Sequence, residues 1–187
     1  MPSWTPVNLA AHVATARRLA LAPLFAAAAA RHGVPLAVLV AVADRETHLG
    51  ALVENTGWRG DGGHGRGVMQ IDDRAHPAFV NAHADDDHHA NIQYGAAYLA
   101  TLARTFGGYT KATLAAYNAG PRNVQRAVAA GRDPDSVTTG GDYGADVLAR
   151  ADVLRSMVAS WSLAGSAVAV LVVAAVTAAV AFRTFAR

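Results

Sequence analysis

The sequence predicts a mainly α-helical domain with a small β-hairpin or loop region, followed by one C-terminal transmembrane helix. Apolar segments of helical character are repeatedly stopped by glycine, as expected of helices joined by turns. Residues 50–68 contain seven glycines, which is too many for a helix. Trp161–Phe182 has no charged side chain over its 22 positions. These observations define a helical part, a loop region and a candidate membrane span.

The N-terminal third is expected to form two helices. The first begins at Thr5–Pro6 or Asn8 and runs to about Arg31, because Gly33 then stops it. The second follows Val34–Pro35 and is apolar on every side until Asp44, Arg45 and Glu46. A helix without a polar face is expected to pack centrally in the domain.

The middle and C-terminal parts are also expected to be helical. The acidic and histidine-rich residues 83–89 are interpreted as the solvated start of a helix through Leu102, because their spacing matches no familiar metal site. Gly107–Gly108 ends that helix, and Thr110 can cap the next one. The remaining predicted helices are 111–117, 122–130 and one that Asp142 caps.

The C-terminal apolar stretch predicts a division into a catalytic domain, residues 1–158, and a membrane helix with a short basic tail, residues 159–187. At about 1.5 Å per residue, Trp161–Phe182 is long enough to cross a hydrocarbon core of roughly 30 Å. A buried core helix is the alternative, but a chain of this size offers few layers to surround it. Arg183 and Arg187 favour a cytoplasmic tail, although basic residues also precede the span.

Charge and cysteine content narrow the function classes. Removing Arg183 and Arg187 from the 16 basic residues leaves 14, which equals the 14 acidic residues. The folded part is therefore balanced in charge, and no nucleic-acid partner is expected. The absence of cysteine excludes disulfide support. Arg17–Arg18 with the apolar residues after it imitates a signal peptide, but Pro23 and the late start favour a domain helix.

Three carboxyl groups, one on a helix and two on a loop that could face it, are the groups that glycoside hydrolysis requires. Glu46 ends the apolar helix, where desolvation is expected to raise its pKa towards that of a general acid near neutrality. Asp61 lies in the glycine-rich loop and Asp72 ends the segment GVMQID. One carboxylic acid can protonate the leaving oxygen while a second carboxylate handles the water. The alternative for Glu46 is a surface ion pair with Arg45 or Arg74.

Four segments of the chain resemble, in order, four successive blocks of the goose-type lysozymes. They are ADRETHLG, GWRGDGGHGRGVMQIDDRAH, AAYNAGPRNV and GDYGADVLARA. Those enzymes belong to a wider lysozyme-like group that includes the soluble lytic transglycosylases. The resemblance extends from about Leu21 to Val153, and the blocks GVMQID and AAYNAG carry most of its specificity.

The resemblance implies a lysozyme-like α+β fold and a role for each acid. Glu46 matches the general acid of the family. Asp72 and Asp61 match two aspartates implicated in holding the water. The motif from Asp61 to Asp72 aligns without a gap, but extra residues near 56–60 make the position of Asp61 depend on how the loop folds. Tyr143 lies in a block that is interpreted as structural.

Five further positions are candidate substrate contacts. Tyr117 and Asn118 match the sugar-contacting pair of the family, since a tyrosine ring offers an apolar face to a pyranose and an amide can bond an acetamido group. Gln70 is expected at the cleft floor. His76 and Trp58 are candidates for the cleft wall.

Together these expectations describe a muramidase that hydrolyses the β-1,4 bond between N-acetylmuramic acid and N-acetylglucosamine in peptidoglycan, with inversion. A lytic transglycosylase that gives 1,6-anhydro products, and a non-catalytic wall-binding or virion structural module, remain alternatives. The expected partners are peptidoglycan glycan strands and, through the C-terminal helix, a membrane. No metal or cofactor is expected. A phage lysin and a bacterial wall hydrolase whose catalytic domain faces the cell wall both fit the sequence.

Overall fold

The computed structural model describes residues 4–161, and these form a mainly helical domain with a small antiparallel sheet. The prediction of a mainly α domain with a small hairpin region is therefore confirmed. The helices are α1 (Pro6–Arg18), α2 (Ala22–His32), α3 (Leu36–Thr47), α4 (Pro77–Ala82), α5 (His88–Phe106), α6 (Lys111–Ala119), α7 (Pro121–Ala129) and α8 (143–161). The strands are β1 (Arg59–Gly60), β2 (Gly65–Arg66) and β3 (Ile71–Asp72).

The first predicted helix is wrong in one respect, because it is two helices. The chain breaks between Arg18 and Ala22, where Ala20 has a φ of 55°. Pro23 lies in the first turn of α2, a position that tolerates the missing N–H, whereas the middle of a continuous helix would lose a hydrogen bond there. The break lets α2 pack against α3 and α5.

Helix α3 is the central helix that its apolar sequence predicts. Every residue from Val38 to Asp44 is buried, and the main core cluster surrounds it. The helix ends where His48 takes a left-handed conformation with a φ of 50°. Buried Thr47 donates a hydrogen bond to the carbonyl of Val68, at 2.9 Å, and so connects the end of α3 to the sheet region.

The sheet follows α3 in the chain, and its strands are antiparallel in the order β1-β2-β3. Arg59 pairs with Arg66, and Gly65 pairs with Asp72. Asn91 of α5, which is 3% exposed, accepts from the backbone N–H of Met69 at 2.8 Å and donates to the carbonyl of Arg66 at 2.9 Å. One buried amide therefore attaches the hairpin to α5.

The predicted start of α5 and the predicted cap of α6 are confirmed. The Asp87 carboxylate accepts from the backbone N–H of Ala90 and begins α5 within the acidic and histidine-rich segment. Thr110 caps α6 in the same way through Thr113. Gly107, with a φ of 74°, ends α5.

The predicted span lies outside the described residues except for Trp161, as do Arg183 and Arg187. The predicted domain boundary after residue 158 falls within α8, which continues to residue 161. Within residues 4–161, no single helix is long and apolar enough to cross a membrane. The helices α1 and α2 have that length and composition only as a pair, with a bend of 94° between them.

Candidate active site

A cleft of about 660 Å³ lies where the end of α3, the small sheet and the end of α6 meet. Seven of the eight sequence-predicted site residues line it. They are Glu46, Asp61, Gln70, Asp72, His76, Tyr117 and Asn118. The cleft is therefore built from segments that are far apart in the chain.

Glu46 lies in the last turn of α3 and its carboxylate accepts a hydrogen bond from the hydroxyl of Tyr143, near the start of α8. Burial raises the pKa of Glu46 from 4.5 to about 7. The Tyr143 hydrogen bond and the charge of Arg45 lower that pKa, and the charge of Asp61 raises it. Near neutral pH a large fraction of Glu46 is consequently protonated and able to donate its proton.

Asp72 ends β3 and is held in its ionised form. The guanidinium of Arg74 contacts it through Nη2 at 2.5 Å and through Nε at 3.1 Å. The backbone N–H groups of Arg74 and Ala75 also donate to its Oδ1, at 2.8 and 3.2 Å. These hydrogen bonds, with that of the Arg74 side chain the most important, lower the pKa of Asp72 from 3.8 to about 2.

Asp61 lies in a 3₁₀ turn between β1 and β2, with a φ of 48°. Its side chain is 68% exposed, and its Oδ2 is 2.9 Å from Nη2 of Arg74. The same guanidinium group therefore contacts both aspartates. The loop that carries Asp61 therefore folds back into the cleft that holds Glu46 and Asp72.

Tyr117 and Asn118, near the end of α6, form the opposite part of the cleft lining. The Tyr117 hydroxyl donates to the carbonyl of Met69 at 2.9 Å, and burial raises the pKa of this tyrosine well above its usual value. Oδ1 of Asn118 accepts from the backbone N–H of Thr139 at 2.9 Å. This contact orients the amide and leaves its N–H₂ group as the end that can donate to a ligand.

Gln70 and His76 also line the cleft, and other residues fix both side chains. Gln70 has a φ of 48° and donates from Nε2 to the carbonyl of Gly67 at 2.7 Å. His76 Nδ1 lies 2.9 Å from the Tyr94 hydroxyl, and its ring is 4.8 Å from that of Tyr98. Burial lowers the pKa of His76, which favours its neutral form.

Trp58 occupies a different position from the one expected. Trp58 is not one of the described residues that line the cleft. Its ring packs edge-on against His88 of α5 at a centroid distance of 4.1 Å, and it lies against Gly50. In this position Trp58 supports the loop that leads into β1.

Comparison with known proteins identifies the family of the chain. The family model named Lysozyme g matches residues 12–157. The chain belongs to the goose-type lysozyme family. It is 33% identical over 124 residues to lysozyme g of Struthio camelus, covering 64% of this chain and 58% of that protein. It is 37% identical over 128 residues to lysozyme g of Cyprinus carpio, covering 64% of each chain.

A further relative differs in its printed name. A glycine, glutamate and proline-rich protein of Lottia gigantea is 34% identical over 134 residues, which cover 66% of this chain and 31% of that protein. The chain thus spans less than two thirds of the length of the curated relatives that it matches. Membership of the goose-type lysozyme family, which the sequence motifs indicate, is confirmed.

Three functional candidates in this goose-type lysozyme domain were not anticipated from the sequence. Tyr143 was interpreted as structural, although it lies in one of the four family-like blocks. Arg74 was considered only as a surface partner for Glu46, but it contacts the two aspartates. Tyr98 of α5 lines the cleft, and no local motif marked it. Within residues 4–161, no cluster of three or more histidines and acids could hold a metal ion.

Proposed function

We propose that this domain is a muramidase that hydrolyses the β-1,4 bond between N-acetylmuramic acid and N-acetylglucosamine in peptidoglycan. One observation carries the proposal: a single cleft holds Glu46, whose pKa is raised to about 7, and Asp72, whose pKa is lowered to about 2. Over the pH range between these values, one carboxyl is protonated while the other is ionised. A pair with separated pKa values is what acid and base roles at one glycosidic bond require.

Each carboxyl has a distinct part in the proposed reaction. Glu46 donates its proton to the glycosidic oxygen as the bond to the leaving sugar breaks, and Tyr143 keeps the carboxyl oriented. Asp72, together with Asp61, orients a water molecule for attack on the opposite face of the sugar ring, which inverts the configuration at the anomeric carbon. Asn118 offers amide N–H donors to an acetamido group, and Tyr117 and Tyr98 contribute to the apolar wall.

The chain contains two glutamates, and this gives the first test a matched control. Glu46→Gln removes the proton donor and keeps the shape of the side chain, so clearing of a peptidoglycan suspension should fall by about 10²- to 10⁴-fold. Glu54→Gln removes only the ion pair with Arg18 at the surface and should clear like the wild type. Equal clearing by both variants would refute the role of Glu46.

A lytic transglycosylase is the second catalytic candidate, because Glu46 alone would serve either reaction. The two aspartates favour hydrolysis, since an intramolecular attack by the sugar needs no carboxylate to hold water. Mass spectrometry of the released muropeptides separates the two reactions. Reducing ends support the muramidase, whereas a predominance of 1,6-anhydro ends would overturn it.

A non-catalytic wall-binding or virion module is the alternative from a different functional class. A desolvated glutamate with a raised pKa is unfavourable in a module that only binds, because its ionisation is disfavoured by burial. Sedimentation with purified sacculi, measured beside clearing, tests this alternative. A wild-type protein that binds sacculi and releases no soluble sugar would support the module.

We also retain the proposal that residues 161–182 anchor the protein in a membrane, with the catalytic domain facing the cell wall. Its support is the sequence alone: 22 uncharged, mostly apolar residues followed by Arg183 and Arg187. Deleting residues 161–187 should release the protein from the membrane fraction. Membrane association that persists in the deletion variant would refute the anchor. A phage or bacterial origin stays a prediction.

A further inference from the structure

We propose that Arg74 is a positioning residue that joins the two aspartates of the cleft and holds the Asp61 carboxylate beside that of Asp72. The inference rests on the muramidase function proposed above, because it concerns how the water-orienting carboxylates are held. Arg74 follows β3 by two residues and lines the cleft. Its side chain is 59% exposed, so its contacts do not arise from packing in the core.

The contacts of Arg74 form a fork between the turn that carries Asp61 and the end of β3, which also meet where the backbone N–H of Asp73 donates to the carbonyl of His64 at 3.1 Å. Nη2 lies 2.9 Å from Oδ2 of Asp61 and 2.5 Å from Oδ2 of Asp72. Nε lies 3.1 and 3.2 Å from the two carboxylate oxygens of Asp72. A guanidinium is planar and presents several N–H donors in fixed directions, so it can serve both acids at the same time.

The two aspartates depend on Arg74 to different degrees. Asp72 also accepts from the backbone N–H groups of Arg74 and Ala75, and these donors remain whatever side chain occupies position 74. Within residues 4–161, the Asp61 carboxylate has hydrogen bonds to the Arg74 side chain only. Loss of the guanidinium should therefore free the Asp61 side chain, while Asp72 should stay at the end of β3.

The charge of Arg74 matters as much as its geometry. Two carboxylates that share a site raise the pKa of one another unless a cation lies between them. Arg74 is that cation, and it is the main cause of the lowered pKa of Asp72. The other ionisable groups that line the cleft are Glu46, His76, Tyr98 and Tyr117, and none of these carries a permanent positive charge. Without Arg74, Asp72 should become protonated at higher pH.

The test compares the muramidase activity of full-length wild type, Arg74→Ala, Arg74→Lys and Arg155→Ala against pH. Arg155 is the matched control, because it is an exposed arginine on α8 that pairs with an exposed aspartate outside the cleft. Arg74→Ala should lower kcat/KM by about 10- to 100-fold, since small displacements of groups that orient a reactant have effects of that size. Arg155→Ala should match the wild type.

The pH profile distinguishes a positioning role from a merely structural one. In Arg74→Ala the acidic limb, where activity is lost as Asp72 takes up a proton, should move to higher pH. Arg74→Lys keeps the positive charge but loses the planar guanidinium group. The acidic limb of this variant should therefore move less than that of Arg74→Ala, while its kcat/KM should stay low. Thermal unfolding of both variants should resemble that of the wild type, because exposed ion pairs contribute little to stability.

A double substitution tests whether Arg74 acts through Asp61. In an Asp61→Asn background, Arg74→Ala should cause less than about a threefold further loss, because two residues of one unit have non-additive effects. The inference is overturned if Arg74→Ala is within twofold of wild type with an unmoved acidic limb, if the two losses multiply fully, or if Arg74→Ala unfolds. An inactive wild type would instead overturn the muramidase proposal.

Discussion

Glu46 lies in the last turn of α3, where burial and the negative end of the helix dipole both disfavour an ionised carboxyl. Its pKa in the folded protein, about 7, is above the ordinary value of 4.5. A group whose pKa is raised by folding contributes its full stabilisation at pH values below its pKa in the unfolded chain. That stabilisation is lost as the pH rises through the pKa of the group in the folded protein. The proton donor is therefore also a source of instability at alkaline pH.

Replacing Glu46 by glutamine should make the protein more stable at pH 8. Glutamine cannot ionise, so the variant escapes the cost of a buried charge and should gain roughly 1–3 kcal/mol over the wild type at that pH. At pH 4 both proteins carry a neutral side chain and should have similar stability. Thermal unfolding followed by circular dichroism at both pH values measures the difference. A gain that is equal at pH 4 and pH 8 would contradict the raised pKa.

Removing the hydroxyl of Tyr143 should change the pH dependence of the reaction. The hydrogen bond from Tyr143 lowers the pKa of Glu46, so Tyr143→Phe should raise that pKa further and move the basic limb of the activity profile to higher pH. The rate should fall by about tenfold because the carboxyl loses an orienting contact. Tyr109→Phe is the control, since the Tyr109 hydroxyl donates to the carbonyl of Gly33 away from the cleft. A basic limb that moves to lower pH would refute this role.

At the scale of elements, the position of the hairpin depends on α5. Asn91 satisfies one donor and one acceptor of the backbone around β2 and β3. Gly67 leaves the necessary space, because a Cβ there would lie 2.4 Å from Cγ of Asn91. Asp61, in the turn before β2, and Asp72, at the end of β3, are thus placed with the help of a side chain that touches neither of them.

Asn91→Ala should weaken both the fold and the site. It leaves two buried backbone groups without partners, which should reduce the free energy of unfolding by about 2–4 kcal/mol. Urea denaturation measures this loss. Asn123→Ala on α7 removes an exposed amide that donates to the carbonyl of Ala119, and its effect should stay within about 0.5 kcal/mol. Similar losses in the two variants would argue against a special role for Asn91.

Local signals predicted most of the elements and one part of the site. Thr110, Asp87 and Gly107 act within one turn of a helix, so their caps and stops can be recognised from neighbouring residues. The break at Ala20 was not predicted because apolar residues continue through it. A helical pattern of apolar residues does not reveal a left-handed residue that tertiary packing enforces. Helix boundaries follow local chemistry only where a capping residue is present.

Site residues could be predicted where a sequence motif lies at the end of a helix or strand. They could not be predicted where a contact joins segments that are distant in the chain. Glu46 and Asp72 end apolar segments that fix them in place. The contact between Tyr143 and Glu46 joins residues 97 positions apart, and no local pattern indicates which tyrosine the fold brings to the acid. Trp58 is the opposite case: it lies within a family-like block and was predicted at the cleft wall, but it does not line the cleft.

At the scale of the whole molecule, a buried ionic network connects the N-terminal helix, α3 and α8. Asp44 is completely buried and contacts Arg150, which is 1% exposed, as well as Nδ1 of His12 at 2.7 Å. Arg150 also donates to Asp146 at 2.7 Å, and Asp146 accepts from Trp4. Asp44 was expected at the polar end of α3, so its burial corrects the sequence interpretation. The network lies two residues from Glu46 along α3.

Arg150→Met should be the most destabilising of the substitutions considered for this domain. Methionine fills much of the same volume, but Asp44 would then remain buried without its guanidinium partner and Asp146 would keep only Arg45, at 3.5 Å, as a cationic partner. This should reduce the free energy of unfolding by about 3–5 kcal/mol. Arg155→Met removes an exposed pair with Asp152 on the same helix and should change stability by less than about 1 kcal/mol.

Adding Asp44→Asn to Arg150→Met should recover part of the loss, because the uncompensated charge is the main cause of the instability. Urea denaturation of the two single variants and the double variant gives the coupling between the residues directly. If Arg150→Met were as stable as Arg155→Met, α8 would be held by its apolar contacts alone. A double variant less stable than Arg150→Met would mean that Asp44 is stabilised mainly by His12, and that α1 rather than α8 fixes the end of the helix that carries Glu46.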